Sequence, residues 1–159
     1  MTYRIQGLRR SAFTHLFGLD ARELAETGAM RVIAGADRGF PCRISLEDAR
    51  RGESLILLNY VSHDTAGPYR SAYAIYVRES AEECEPYFDR LPPTMVGRTL
   101  SLRGFDGQGI LLDAILTAPG DAERGIVALF GDPDVAYIHA HNAAYGCFAA
   151  RIDRNGDLR

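Results

Sequence analysis

Lysine does not occur in this chain, and every one of its 18 basic residues is arginine. A replacement carried through a whole sequence points first to coding bias. It points only second to a surface selected for bidentate anion recognition, which arginine serves better than lysine. Cysteine is scarce as well. Cys42, Cys84 and Cys147 form an odd set without CxxC spacing, which excludes the disulfide framework of a small secreted domain and predicts free thiols. No apolar run approaches the ~20 residues that cross a bilayer, and Met1 to Gln6 do not open a signal peptide, so the expectation is a cytoplasmic protein with no membrane partner. With a net charge of -3 and arginines dispersed from Arg4 onward, no basic patch invites a phosphate backbone, and nucleic acid is not expected as a partner.

Several catalytic signatures are missing too. There is no GxGxxG or GxxxxGK[ST] run after a strand, no GxSxG elbow, no HExxH helix and no EF-hand loop. These absences exclude familiar nucleotide-binding, hydrolase and metalloprotease classes. What is present is an average globular composition, 47% apolar and 25% charged over 159 residues. That is enough to bury one core, and residues 1–159 read as a single domain.

Local patterns predict the elements. A strand is expected over Tyr3 to Leu8, followed by helical segments at Ala12 to Phe17 and Ala21 to Glu26, the second capped by Asp20 and stopped by Gly28. Met30 to Ala34 reads as a strand. Ser45 to Asp48 has the form of a capping box, which predicts a helix over Leu46 to Arg51 and sets Cys42 just upstream of its positive end. The nearly continuous apolar run Ser54 to Tyr60 reads as a central strand, and Ala72 to Glu79 as its neighbour. Asp106 to Gly109 joins a hairpin of Arg98–Phe105 and Ile110–Leu116. A helix over Ala122 to Phe130 follows, capped by Asp121 and closed by Gly131. Hairpin-sized connections dominate, so the expected fold is α+β: a mostly antiparallel β-sheet of six to eight strands with short helices packed against one face.

The last segment carries the densest chemistry. Alternation in Val135 to His141 sets Tyr137, His139 and His141 on one face and Ile138 and Ala140 on the other. Cys147 to Asp153 alternates again after a turn begun by Asn142 and ended by Gly146. A five-residue loop puts His141 opposite Cys147, His139 opposite Ala149 and Tyr137 opposite Arg151. Tyrosine, two histidines, cysteine and arginine then share one face.

Two kinds of site are compatible with that cluster. In the first, Cys42 is a nucleophile activated by Arg43 and the following helix start, with His141 as its base, and Arg43, His63, Arg70, Tyr137, His139 and Arg151 hold an anionic small molecule. Here Cys42 is expected to lie near the histidine face and to be the most reactive thiol. In the second, His139 and His141, spaced i, i+2, join Cys147 in a metal site, with zinc the natural ion. A third reading makes the cluster structural and gives the exposed sheet to a homodimer contact. Cys84, set among Glu82, Glu83 and Glu85, is assigned no role.

The run Gly39-Phe40-Pro41-Cys42-Arg43, the pair Gly52-Glu53 before an apolar strand, and Asn142-Ala143 with Gly146-Cys147 carry a likeness. In these motifs the chain resembles a family of small bacterial single-domain proteins described only as a domain of unknown function. The resemblance implies one bacterial domain of this length and transfers no activity, cofactor or site residue.

Overall fold

Strand is the main regular element of the chain, and the computed structural model describes residues 2–156. The strands are β1 (Tyr3–Gln6), β2 (Met30–Ile33), β3 (Ser54–His63), β4 (Ser71–Arg78), β5 (Tyr87–Phe88), β6 (Leu100–Phe105), β7 (Leu111–Thr117), β8 (Tyr137–Asn142) and β9 (Phe148–Arg154). Six of them form one sheet in the order β5-β1-β9-β8-β6-β7, and β2-β3-β4 form a second. Every pairing between these strands is antiparallel. The helices are α1 (Ala21–Glu26) and α2 (Ala122–Leu129).

The α+β expectation is therefore corrected to a mostly-β fold of two sheets, in which only α2 exceeds two turns. Two expected helices are lost for identifiable reasons. Leu46 adopts a left-handed φ of 54°, and its side chain is buried in the main core. Around it the chain folds back on itself, with Pro41 bridging to Asp48 and the Leu46 N–H donating to the Cys42 carbonyl. Ser45 caps nothing; its hydroxyl accepts from the Arg78 guanidinium instead. Burial of Leu46 and strand-like pairing override a local capping signal. The stretch expected as a helix over Ala12 to Phe17 breaks into 3-10 turns at Arg10–Ala12 and Thr14–Leu16. By contrast α1 keeps its predicted bounds through a reciprocal capping box, Asp20 accepting from the Glu23 N–H and Glu23 accepting from the Asp20 N–H. The expected Asp121 cap of α2 is absent, and its carboxylate pairs with Arg124 instead.

One face of the six-stranded sheet presents Ile5, Leu100, Leu102, Ile138, Ala140 and Ile152 to Ile126 and Leu129 of α2. Each large side chain buried there is worth roughly 1.5–3 kcal/mol. A Cβ on Gly125 would stand 2.8 Å from Leu102 Cδ1 and 2.6 Å from Thr117 Cγ2, so the absence of a side chain lets α2 sit directly on β6 and β7. The opposite face packs on the three-stranded sheet, where Phe148 meets Ile56, Ile75 and Val77.

The segment Pro41 to Ile44 ties the two sheets together. The Arg43 N–H donates to the Tyr76 carbonyl of β4, and the Arg43 carbonyl accepts from the Leu8 N–H just after β1. Gly7 leaves the room this needs, since a Cβ there would lie 1.9 Å from the Ile44 carbonyl oxygen. The segment frames the candidate site.

Candidate functional site

The C-terminal hairpin is one residue tighter than predicted. The Asn142 N–H donates to the Cys147 carbonyl and the Gly146 N–H to the Asn142 carbonyl, with Gly146 at a φ of 75° that suits glycine. His141 therefore pairs with Phe148, not Cys147, and a register shift between Ala140 and His141 then sets Ala140 opposite Ala150 and His139 opposite Arg151. Tyr137 is paired with Asp153. The irregularity has a physical consequence: a one-residue offset would have turned the rest of β9 over, and the bulge restores Ala150 and Ile152 to the core. It does not restore Cys147. Paired with Asn142, Cys147 lies on the opposite face from His141 and Phe148.

The histidine face is consequently dry and aromatic rather than open. His139 and His141 are each only 2% exposed. His139 packs edge-on against His63, Phe105 and Phe148, and Tyr73 packs edge-on against His141. Burial pushes His139 down to about 3 and His141 down to about 4, with neighbouring positive groups adding to both shifts. Both imidazoles are therefore neutral near pH 7. His141 Nδ1 donates to the Gly146 carbonyl at 2.9 Å. His63, at the end of β3, crosses the gap between the sheets. Its Nδ1 donates to the Tyr69 carbonyl at 2.9 Å, so its Nε2 accepts from the Tyr137 hydroxyl at 2.6 Å. Arg151 lies over the Tyr137 ring, 3.9 Å from its centroid, and pairs with Asp153. Arg70 stays apart, exposed and paired with Asp64.

Cys42 does not occupy the setting the sequence suggested. It is fully buried, its sulfur accepts from the Arg78 N–H at 3.3 Å, and no helix begins after it. It shares a core with Phe148, yet among the described residues no hydrogen bond joins it to a histidine. The proposed metal set is also divided between the two faces of the sheet. Among the described residues no three His, Cys, Asp or Glu side chains are grouped to hold an ion.

Arg43 turns instead to Cys147. The guanidinium, 2% exposed, donates through Nε to the Phe148 carbonyl at 2.8 Å, through Nη1 to the Pro41 carbonyl at 2.6 Å, and through Nη2 to Cys147 Sγ at 3.3 Å. Asn142 Nδ2 donates to the same sulfur at 3.4 Å. Among the described residues no carboxylate pairs with Arg43. Burial lowers its proton affinity, and Cys147 is the first of the groups opposing that effect. Cys147 and Asn142 are both partly exposed, whereas the Arg43 guanidinium is buried. All three cysteines are unpaired. Cys84 is raised above the ordinary thiol range, mainly by burial.

A family model described as "Protein of unknown function (DUF1203)" matches residues 39–154. The chain belongs to the DUF1203 family. The matched stretch holds Arg43, Asn142 and Cys147 and leaves β1, α1 and β2 outside it. No curated protein and no solved structure matches the chain.

Sequence reasoning named Arg43, Asn142 and Cys147 without joining them: Arg43 as a helper of Cys42, Asn142 as a turn residue, Cys147 as a metal ligand. It missed Thr94 and Arg98, which line a crevice with Arg43 and Asn142. They follow Pro92 and Pro93 in a loop with no chemical motif, so only the tertiary fold brings them to the site.

Proposed function

We propose that this DUF1203 domain is a thiol-dependent small-molecule protein, binding or catalytic, whose reactive group is Cys147 and whose ligand is anionic. The observation that carries the reading is the buried Arg43 guanidinium with Cys147 Sγ as its one ionisable hydrogen-bond partner among the described residues. An isolated cation in a dry interior is costly, and it persists where a counter-charge and hydrogen bonds compensate it. Cys147 Sγ accepts from Arg43 Nη2 and from Asn142 Nδ2, so two N–H donors converge on one sulfur. The thiolate is the nucleophilic form of cysteine. Its electron pair forms a bond to an electrophilic carbon of the ligand while the displaced group leaves with its own pair.

His139 and His141 play no direct part in this reading. They lie on the other face of β8, where they fix the spacing of the sheets.

Brief iodoacetamide treatment of the folded protein at neutral pH, with the three thiols mapped by mass spectrometry, tests the assignment. Cys147 is expected to label first, Cys84 later and Cys42 last. Labelling of Cys84 or Cys42 ahead of Cys147 would remove the basis for the reading.

A further inference from the structure

The donors of Cys147 are also the walls of a second feature. Arg43 and Asn142 line a narrow, closed crevice together with Thr94, Arg98, Pro41 and Ala149. Thr94 is 3% exposed, yet its Oγ1 is buried without a hydrogen-bond partner. An orphaned buried hydroxyl costs about 1–3 kcal/mol unless something satisfies it. Two guanidiniums border the same space, and Arg98 is close enough to Arg43 to disfavour its charge. A single carboxylate answers them: Asp48 pairs with Arg98 at 2.8 Å, both side chains being largely buried. Arg98 also donates to the Thr94 carbonyl. Asp48 and Pro93 line a larger open cleft with Asp37, Glu47, Arg38 and Arg50. The Arg98–Asp48 pair therefore stands between open cleft and closed crevice.

We infer that this crevice is the subsite for a small carboxylate carried by the ligand of Cys147. The carboxylate takes the place of Asp48 on Arg98 and accepts from Asn142 and from the Thr94 hydroxyl as the Arg98 side chain swings aside. The crevice has no room for water as it stands, so binding is coupled to that movement. Arginine pairs bidentately with carboxylates, which suits it to this exchange. The ligand of the thiol is thus assigned to the class of electrophilic carboxylic acids. This deepens the thiol reading and rests on it for the identity of the reacting group, but the subsite itself is read without it.

Two measurements on the full chain separate the two. Acetate is titrated in against chloride at constant ionic strength while the side-chain N–H signals of Arg98 and Asn142 are followed by NMR. In parallel, Cys147 is alkylated by iodoacetate and by iodoacetamide, with glutathione as the free-thiol reference. The expected results are saturable shifts of both signals and an iodoacetate-to-iodoacetamide rate ratio at Cys147 about tenfold above that of glutathione. Thr94→Val, which keeps the volume and leaves the Arg98–Asp48 pair untouched, should weaken the acetate response and lower the ratio, and Arg98→Gln should do so further. Signals that do not move with acetate overturn the subsite, whatever the thiol does. Signals that move while Cys147 reacts no faster than Cys84 leave the subsite in place and remove the thiol reading.

Discussion

Arg43 and Cys147 meet across 104 residues of sequence, the Nη2 of one standing 3.3 Å from the Sγ of the other. The contact depends on two tight backbone arrangements. The Pro41 to Ile44 segment carries Arg43 between the sheets, and the Asn142–Cys147 turn presents the sulfur.

The first arrangement depends on Gly7. Because a Cβ there would lie 1.9 Å from a backbone oxygen, no rotamer change relieves the clash and the Pro41 to Ile44 segment must shift. Gly7→Ala is expected to lower stability by about 3 kcal/mol, at the upper end for single substitutions. Urea denaturation measures it, and a loss under about 1 kcal/mol would show that the segment is not fixed as described.

If the Arg43–Cys147 contact is a charge pair, the two residues must be energetically coupled. Arg43→Gln should destabilise by roughly 3 kcal/mol, since it strips donors from the Phe148 and Pro41 carbonyls as well as from the sulfur. Cys147→Ala should cost less in the Arg43→Gln background than in the native one, with a coupling of about 1–2 kcal/mol in a double-mutant cycle. Additive effects would mean that the sulfur is a neutral neighbour.

How much of this was legible in the sequence depended on how local the cause was. Strand alternation and the Asp106 to Gly109 turn placed β6, β7 and β8 within a residue or two of their bounds, because period and turn chemistry act locally. Asp20 and Gly28 placed α1 for the same reason. Ser45 and Asp48 failed as a helix start because Leu46 gains more from burial at a positive φ than the segment gains from a cap. The bulge beside His141 leaves no mark in composition. An alanine-rich strand pairs equally well with or without one extra residue, and it is the demand that Ala150 and Ile152 face the core that selects it. The site followed the same rule. Its residue types were visible, but the partner of Arg43 was decided by the path of Pro41 to Ile44 between two sheets.

Acid should unfold the protein through its buried histidines. The folded state holds His139 at about 3 and His141 at about 4, both below the ordinary 6.5. Between those values an unfolded chain binds protons that the fold excludes. Stability is therefore full above pH 6.5, falls as pH drops toward 4, and continues to fall to about 3 for His139. At ~1.4 kcal/mol per unit the total is a few kcal/mol for each histidine. Glu79, held at about 2 by Arg31 and Ser54, adds a smaller loss below pH 4.5. Chemical denaturation at a series of pH values should show the decline, and His139→Phe should flatten it between pH 6.5 and 4. An unchanged slope would place the proton uptake elsewhere.

Thr94 offers a test with the opposite sign. Its buried hydroxyl has no partner, so Thr94→Val should leave stability unchanged or raise it by up to about 1 kcal/mol in anion-free buffer, although valine for a satisfied buried threonine is ordinarily destabilising. Thermal unfolding reads this directly. A loss of more than about 1 kcal/mol would show that the hydroxyl is satisfied within the fold and free of any ligand role.

The reactivity of Cys147 is the claim on which the functional account depends. Partial burial alone slows a thiol, whereas N–H donors held on the sulfur, here from Arg43 and Asn142, favour its reaction. The alkylation rate of Cys147 by iodoacetamide at neutral pH should therefore be compared in the native protein and in the same protein unfolded in urea. The account predicts a rate about tenfold higher in the folded state, lost in Arg43→Gln; a folded-state rate equal to or below that of the unfolded chain would contradict it.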